Sequence, residues 1–273
     1  MLSTVEVRST SGELLTLSLA DPSNGFVVAD IDGLGPVKAA IATSSFALMD
    51  GVQFQSARRE GRNLLFKIEL IPDYVTQSVE DLRWRLYDFF MTKAQVSARF
   101  ILSGGLEVDI SGIVEDCQPD IFSQEPTMNV VVFCTNPDLV DITPVVIEGD
   151  TVSDTTEMLI EYPGTVETGF VLTISADRDF DELDIYMRGP DNVTRVFNFG
   201  ANMLDLDVIT INTNQGSKSI TITRAAVPFS ALYGRSPQSA WPKLAKGDNY
   251  IRVAVEGDPI PYELTYTAKY GAI

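Results

Sequence analysis

Histidine is absent from all 273 residues. Its absence removes the commonest general base and the commonest metal ligand. Serine–histidine and cysteine–histidine mechanisms are excluded with it. Cysteine is nearly absent: Cys117 and Cys134 are the only two. Two thiols cannot close a structural zinc site, and in a reducing compartment they are expected to stay free. No run of about 18 apolar residues occurs, so no membrane span is expected. The first residues, "MLSTVEVRSTSGELLTLSL", alternate and carry charge early, unlike a secretory leader. Synthesis and folding in a cytoplasm are therefore expected.

Basic residues are also scarce. Twenty Lys and Arg face 38 Asp and Glu, a net charge of −18 spread over both halves of the chain. Such a balance opposes gripping nucleic acid, whose backbone needs cations to displace its counterions. It favours solubility, and a surface that DNA slides past would tolerate it. What the chain does have is apolar content, 45% of residues, enough to bury a core and to argue against disorder.

Most of that content is arranged as strands. "NLLFKIEL" sets Leu64, Phe66, Ile68 and Leu70 against Leu65, Lys67 and Glu69, the period of a half-buried strand. "VQFQSA" alternates just upstream, so the two segments read as a hairpin or strand pair with a basic, exposed connection, "RREGR". One helix is predicted, over about 78–91. Ser78 is placed to cap it, with Asp81 three residues on as a capping-box acid. Val79, Leu82, Leu86, Phe89 and Phe90 make one apolar face. Trp84, Tyr87 and Met91 make a second stripe, as expected of a helix that touches two surfaces. "SGG" and "NQGSKS" read as hairpin turns. The proline-containing stretch "NPDLVDITPVV" marks a boundary. The expected organisation is mainly β: an N-terminal α+β domain over 1–136, a linker over 137–146, and an antiparallel β-sandwich over 147–273.

Candidate chemistry is thin. Asp177, Asp179 and Asp181 begin like a calcium loop, but the sixth and twelfth positions hold Glu182 and Arg188 where Gly and Glu are required. The run reads as a solvated turn. Acid pairs suited to glycoside hydrolysis arise by chance among 38 acids, and no phosphate-binding glycine pattern appears. Tyr262, Tyr266 and Tyr270 form a sugar-stacking platform, sandwich core or a subunit contact, and Trp241 is open to the same readings or plugs one end of the sandwich. Arg58, Arg59 and Arg62 have two open readings. They are solvated loop charges, or they meet the acidic surface of an identical neighbour in a head-to-tail contact that closes a ring.

"DGVQFQSARREGRNLLFKIEL", "IPDY" and "SVEDLRWRLYDFF" together resemble the N-terminal domain of distal tail proteins of long, non-contractile-tailed bacteriophages. "YPGTVETGFVLTI", "VITINTNQGSKSITI" and "SAWPKLAKGDNYIRV" resemble segments of the second half of that family, in the same order. The resemblance implies a tail-tube-like ring domain followed by a galectin-like sandwich. It implies a non-enzymatic virion protein at the distal end of the tail, with no cofactor or metal. Its expected partners are itself in a hexameric ring, the tail tube protein, the tip hub protein and receptor-binding or side-fibre proteins, with DNA passing through the lumen without specific binding. Arg58, Arg59, Arg62, Trp84, Tyr87 and Met91 are the candidate assembly residues. The alternative is a carbohydrate-binding or adhesion module built on the second sandwich.

Overall fold

The computed structural model describes residues 1–47, 50–120 and 126–273. The described residues are mainly β with one α-helix, and the contacts divide the chain into two units. One comprises Met1–Ile142 with Gly271–Ile273, the other Thr143–Tyr270.

The first unit runs β1 (Leu2–Ser9), β2 (Leu14–Ser18), β3 (Phe26–Asp32), β4 (Ala39–Ser44), β5 (Gln53–Arg59), β6 (Arg62–Leu70), α1 (Val79–Phe90), β7 (Gln95–Leu102), β8 (Glu107–Asp120), β9 (Thr127–Cys134) and β10 (Leu139–Asp141). Eight of these strands follow the order β10-β8-β7-β1-β2-β3-β6-β9, and β9 also pairs with β8, so the circuit closes. β8 makes the closure possible by its length: residues 107–113 pair with β7 and residues 113–120 with β9. At the changeover sits Gly112. A Cβ there would lie 2.6 Å from Val132 Cγ1 and 2.8 Å from Cys134 Sγ, so only glycine lets β8 pass that close to β9.

The circuit is thin between β2 and β3, which meet only through Ser18 and Val27, and its closure gives each strand an inside and an outside. Val5, Val7, Leu15, Leu17, Leu64, Phe66, Ile68 and Leu70 are buried, while Leu65 and Lys67 between them are exposed, as the alternation predicts. The helix begins where the sequence places it. Ser78 accepts from the Asp81 N–H and Asp81 accepts from the Ser78 N–H, a complete capping box. Its buried face is Leu82, Leu86, Phe89 and Phe90. Phe90 reaches Phe66 at 6.4 Å between centroids, and Phe66 stacks on Phe100 at 6.4 Å, which ties the helix to two strands.

One expectation is corrected here. β5 does not pair with β6; it pairs with β4, and β6 lies between β3 and β9. Within the expected linker 137–146, residues 139–141 form a strand on β8, and residues up to Ile142 pack with the first unit.

The second unit contains β11 (Val145–Asp150), β12 (Met158–Tyr162), β13 (Val171–Ser175), β14 (Phe180–Arg188), β15 (Thr194–Met203), β16 (Val208–Asn212), β17 (Ser219–Arg224), β18 (Val227–Ser230), β19 (Gly247–Ala254) and β20 (Pro261–Tyr266). They form a six-stranded sheet, β11-β20-β13-β16-β17-β18, and a four-stranded sheet, β12-β19-β14-β15. Alternate residues of both, such as Leu172, Ile174, Ile209 and Ile211 from one and Ile185, Phe197, Ile251 and Val253 from the other, fill one core. Tyr162 anchors an edge of it. Its hydroxyl donates to Val166 O at 2.7 Å and accepts from Lys269 N at 2.9 Å. Tyr162→Phe should cost about 1–3 kcal/mol, because both backbone groups lose a buried partner; chemical denaturation of the variant measures it.

The free edge of β18 is closed to further pairing. Ala225 and Ala226 both take positive φ, the two-residue turn that favours a tight hairpin. The ladder from that turn pairs Arg224 with Val227 and Thr223 with Pro228, which directs the Pro228 nitrogen outward. A missing donor on the solvent edge blocks strand addition.

Candidate functional site

Arg62 departs most from its sequence reading. Expected in an exposed connection, it is 1% exposed and is the first residue of β6. Its guanidinium donates from Nε to Pro137 O at 2.9 Å, from Nη1 to Gly35 O at 2.8 Å and to Gly33 O, and from Nη2 to Gly271 O at 2.6 Å. Burial lowers its pKa, while the nearby Asp138 favours the charged form. Four backbone carbonyls from three remote segments thus converge on one cation. Gly33 belongs to this arrangement: its φ is +94°, and a Cβ would fall 2.0 Å from Asn63 O. Arg62 is a structural clamp within the first unit, with four of its five N–H donors engaged.

Arg58 and Arg59 end β5, on a two-stranded arm with β4 that pairs with no other strand. No residue of either strand is buried. Arg59 is held by its own unit through Asp138, at 2.6 Å. Strand alternation puts Arg58 on the opposite face, together with Ser56, while a register shift that sets Ser56 against Ala42 but Phe54 against Thr43 turns Phe54 to the other face; Arg58 has no ion-pair partner among the described residues. Ile41, Phe46, Val52 and Phe54 are all exposed on the arm or its tip. An isolated two-stranded ribbon is marginally stable in water.

The second helix stripe is also on the surface. Trp84 and Met91 are exposed, and Tyr87 is half-buried. Trp84 and Tyr87 contact edge-to-face at 5.8 Å. Tyr74 and Val75, in the segment leading into the helix, are exposed as well. The structure therefore separates the six candidates: Arg62 is interior, Arg59 is internally paired, and Arg58, Trp84, Tyr87 and Met91 face outward or partly so.

Of the open readings of the tyrosines, the structure supports sandwich core for Tyr262 and Tyr266. Tyr262 and Tyr266 are 6% and 5% exposed and belong to the sandwich core. Tyr266 packs on Tyr162 at 5.7 Å, and burial pushes the Tyr262 hydroxyl up to about 12. Tyr270 packs against the same core. Trp241 lies 5.2 Å from Phe197, with Lys218 and Arg235 each 5.6 Å from its ring. Its faces are occupied.

The acidic run is a turn into β14, where Asp179 accepts from the Asp205 N–H at 2.8 Å. Among the described residues, no three His, Cys, Asp or Glu are grouped to hold a metal. Cys117 and Cys134 are unpaired, and burial raises both thiols to about 11, which leaves them poor nucleophiles.

One carboxylate with a structural role escaped sequence reading. Asp207 is 2% exposed and accepts from Arg224 at 2.6 and 3.0 Å and from Leu204 N at 2.9 Å. Hydrogen bonds from Arg224 hold its pKa below the ordinary value. A depressed native pKa contributes stability that is present above the unfolded value, about 3.9, and is lost as pH falls through the native one. Urea midpoints measured from pH 5 downward should fall in the parent protein and fall less steeply in Asp207→Asn.

Two exposed features of the first unit stand out: a strand arm with no buried residue and an aromatic helix face. The fold has a known counterpart. The crystal structure of SPP1 Dit (gp 19.1), described as a paradigm of hub adsorption apparatus in Gram-positive infecting phages, is similar to this chain with a TM-score of 0.67 and 13% identity, over 96% of this chain and 98% of that one. Two structures of the phage P2 baseplate in its activated conformation, with Ca and with Sr, align at a TM-score of 0.47 and 9% identity, over 100% and 99% of both chains. No family model and no curated protein sequence matches the chain. At such identities the SPP1 likeness shows a shared fold across both units.

Proposed function

We propose that this chain is a structural protein of a phage tail tip, in which six copies form a ring that joins the tail tube to the tip hub and carries host-recognition components. The supporting observation is the full-length fold likeness to a hub adsorption protein, spanning both units rather than one common sandwich. The arm and the helix face add to it, since both leave large apolar side chains exposed. The first unit would form the ring and the second would face outward. The net charge of −18 suits a lumen through which DNA passes without adhering.

Mass measurement in solution with negative-stain imaging tests the reading. Six-fold rings, alone or after addition of tube and hub proteins, are expected. Protein that stays monomeric in every such mixture overturns it.

A further inference from the structure

We infer that Arg62 and the C-terminal residues 271–273 form a latch that fixes the direction of the β4–β5 arm. The latch lies within a single copy and does not depend on assembly.

The arm has little with which to set its own direction. It pairs with no other strand, and no residue of either strand is buried. A ribbon without a core is marginal in water, so its direction must come from its root. β4 is entered through residues 33–38, and β5 is left through residues 59–62. Both passages meet at Arg62. On the entry side, Nη1 donates to Gly33 O and to Gly35 O, the latter at 2.8 Å. The exit side carries Arg62 itself, and Arg59 is paired to Asp138 at 2.6 Å. Glu60 N donates to Lys38 O at 3.0 Å and joins the two sides. The exit is also tight. A Cβ on Gly61 would lie 2.8 Å from Phe133 Cζ and 3.1 Å from Cys134 O, so the turn from β5 to β6 runs hard against the end of β9.

The remaining partner is a chain end. Arg62 Nη2 donates to Gly271 O at 2.6 Å, and Ile273 N donates to Leu34 O at 3.3 Å, between the two entry carbonyls that Arg62 holds. Chain ends are where local opening costs least. Drawing residues 271–273 away takes one bond from Arg62 and one from the entry segment together. Members of such a network support one another, so the bonds that remain are weakened too. Gly271 is also the first residue after the second unit, which spans Thr143–Tyr270. A pull on that end of the second unit therefore reaches the root of the arm through the peptide bond from Tyr270 to Gly271.

The test places spin labels on the full chain at Val52→Cys, 67% exposed at the arm tip, and at Lys67→Cys, exposed on β6, in a Cys117→Ser background. Cys134 is 1% exposed and burial raises its thiol to about 11, so it stays unlabelled. The parent should give one narrow distance distribution between the labels. Deletion of residues 271–273 and Arg62→Lys should each broaden it. Arg58→Ala, on the same strand but without an ion-pair partner among the described residues, should not. In the deletion variant, hydrogen exchange of the Glu60 amide should speed by about tenfold, the scale of one hydrogen bond to a charged group. The central amides of β1 and β7 should speed by less. A broad distribution in the parent overturns the latch, as does an unchanged width in both variants. Equal acceleration at Glu60 and in β1 and β7 also overturns it, since residues 271–273 would then support the whole unit and not the arm.

Discussion

Arg62→Met should lower the unfolding free energy by about 3–5 kcal/mol, the scale seen when one member of a buried charged network is removed. That is a large part of the 5–15 kcal/mol that holds a typical domain together. The side chain serves Gly33, Gly35, Pro137 and Gly271, and methionine fills much of its volume while leaving all four carbonyls without that donor. Arg62→Lys should recover only part of the loss, because one ammonium cannot reproduce a planar fork aimed at separate acceptors. Removing residues 271–273 deletes one acceptor and the Ile273 N to Leu34 O bond, so its effect should be smaller. The two changes should also be non-additive, since they share a contact. Denaturation of the two singles and the double measures that coupling. Additive losses would show that the tail and the clamp act separately.

Phe66→Ala is the second large effect, at about 3–5 kcal/mol for a fully buried phenylalanine. The ring lies between Phe100 of β7 and Phe90 of the helix, so its loss leaves a cavity on the seat of α1. The variant should lose near-ultraviolet circular dichroism along with stability. Trp84, on the other side of the helix, should change its fluorescence as the helix loosens. A variant within 1 kcal/mol of the parent would mean that the site collapses without a cavity and that the helix is held by Leu82 and Leu86 instead.

Much of the first unit was legible from residue order alone. The strand through Leu64–Leu70 follows from alternation, and its buried set is the one the alternation names. Ser78 and Asp81 announce the helix start because a capping box is a local device spanning four residues. The "NQGSKS" turn is read for the same reason, and Gly216 there has φ +88°. The tyrosine stripe shows where such reading stops. Alternation puts Tyr262 and Tyr266 on one face of β20, but only the opposing sheet decides that this face is the interior. β5 failed similarly: its alternation has no partner address, and the ladder it joined was with β4 upstream.

Composition and local order determined that this is a mainly-β chain with one capped, two-faced helix, without histidine chemistry and with a strongly acidic surface. Those properties depend on residue type and on neighbours within a few positions, which the sequence contains directly. The role of each arginine was decided by tertiary structure. Arg58, Arg59 and Arg62 lie within five residues of one another, yet one is solvent-facing, one is paired to Asp138 and one is buried. The acceptors that make the difference come from residues 33–35, 137–138 and 271, and only folding brings these segments together.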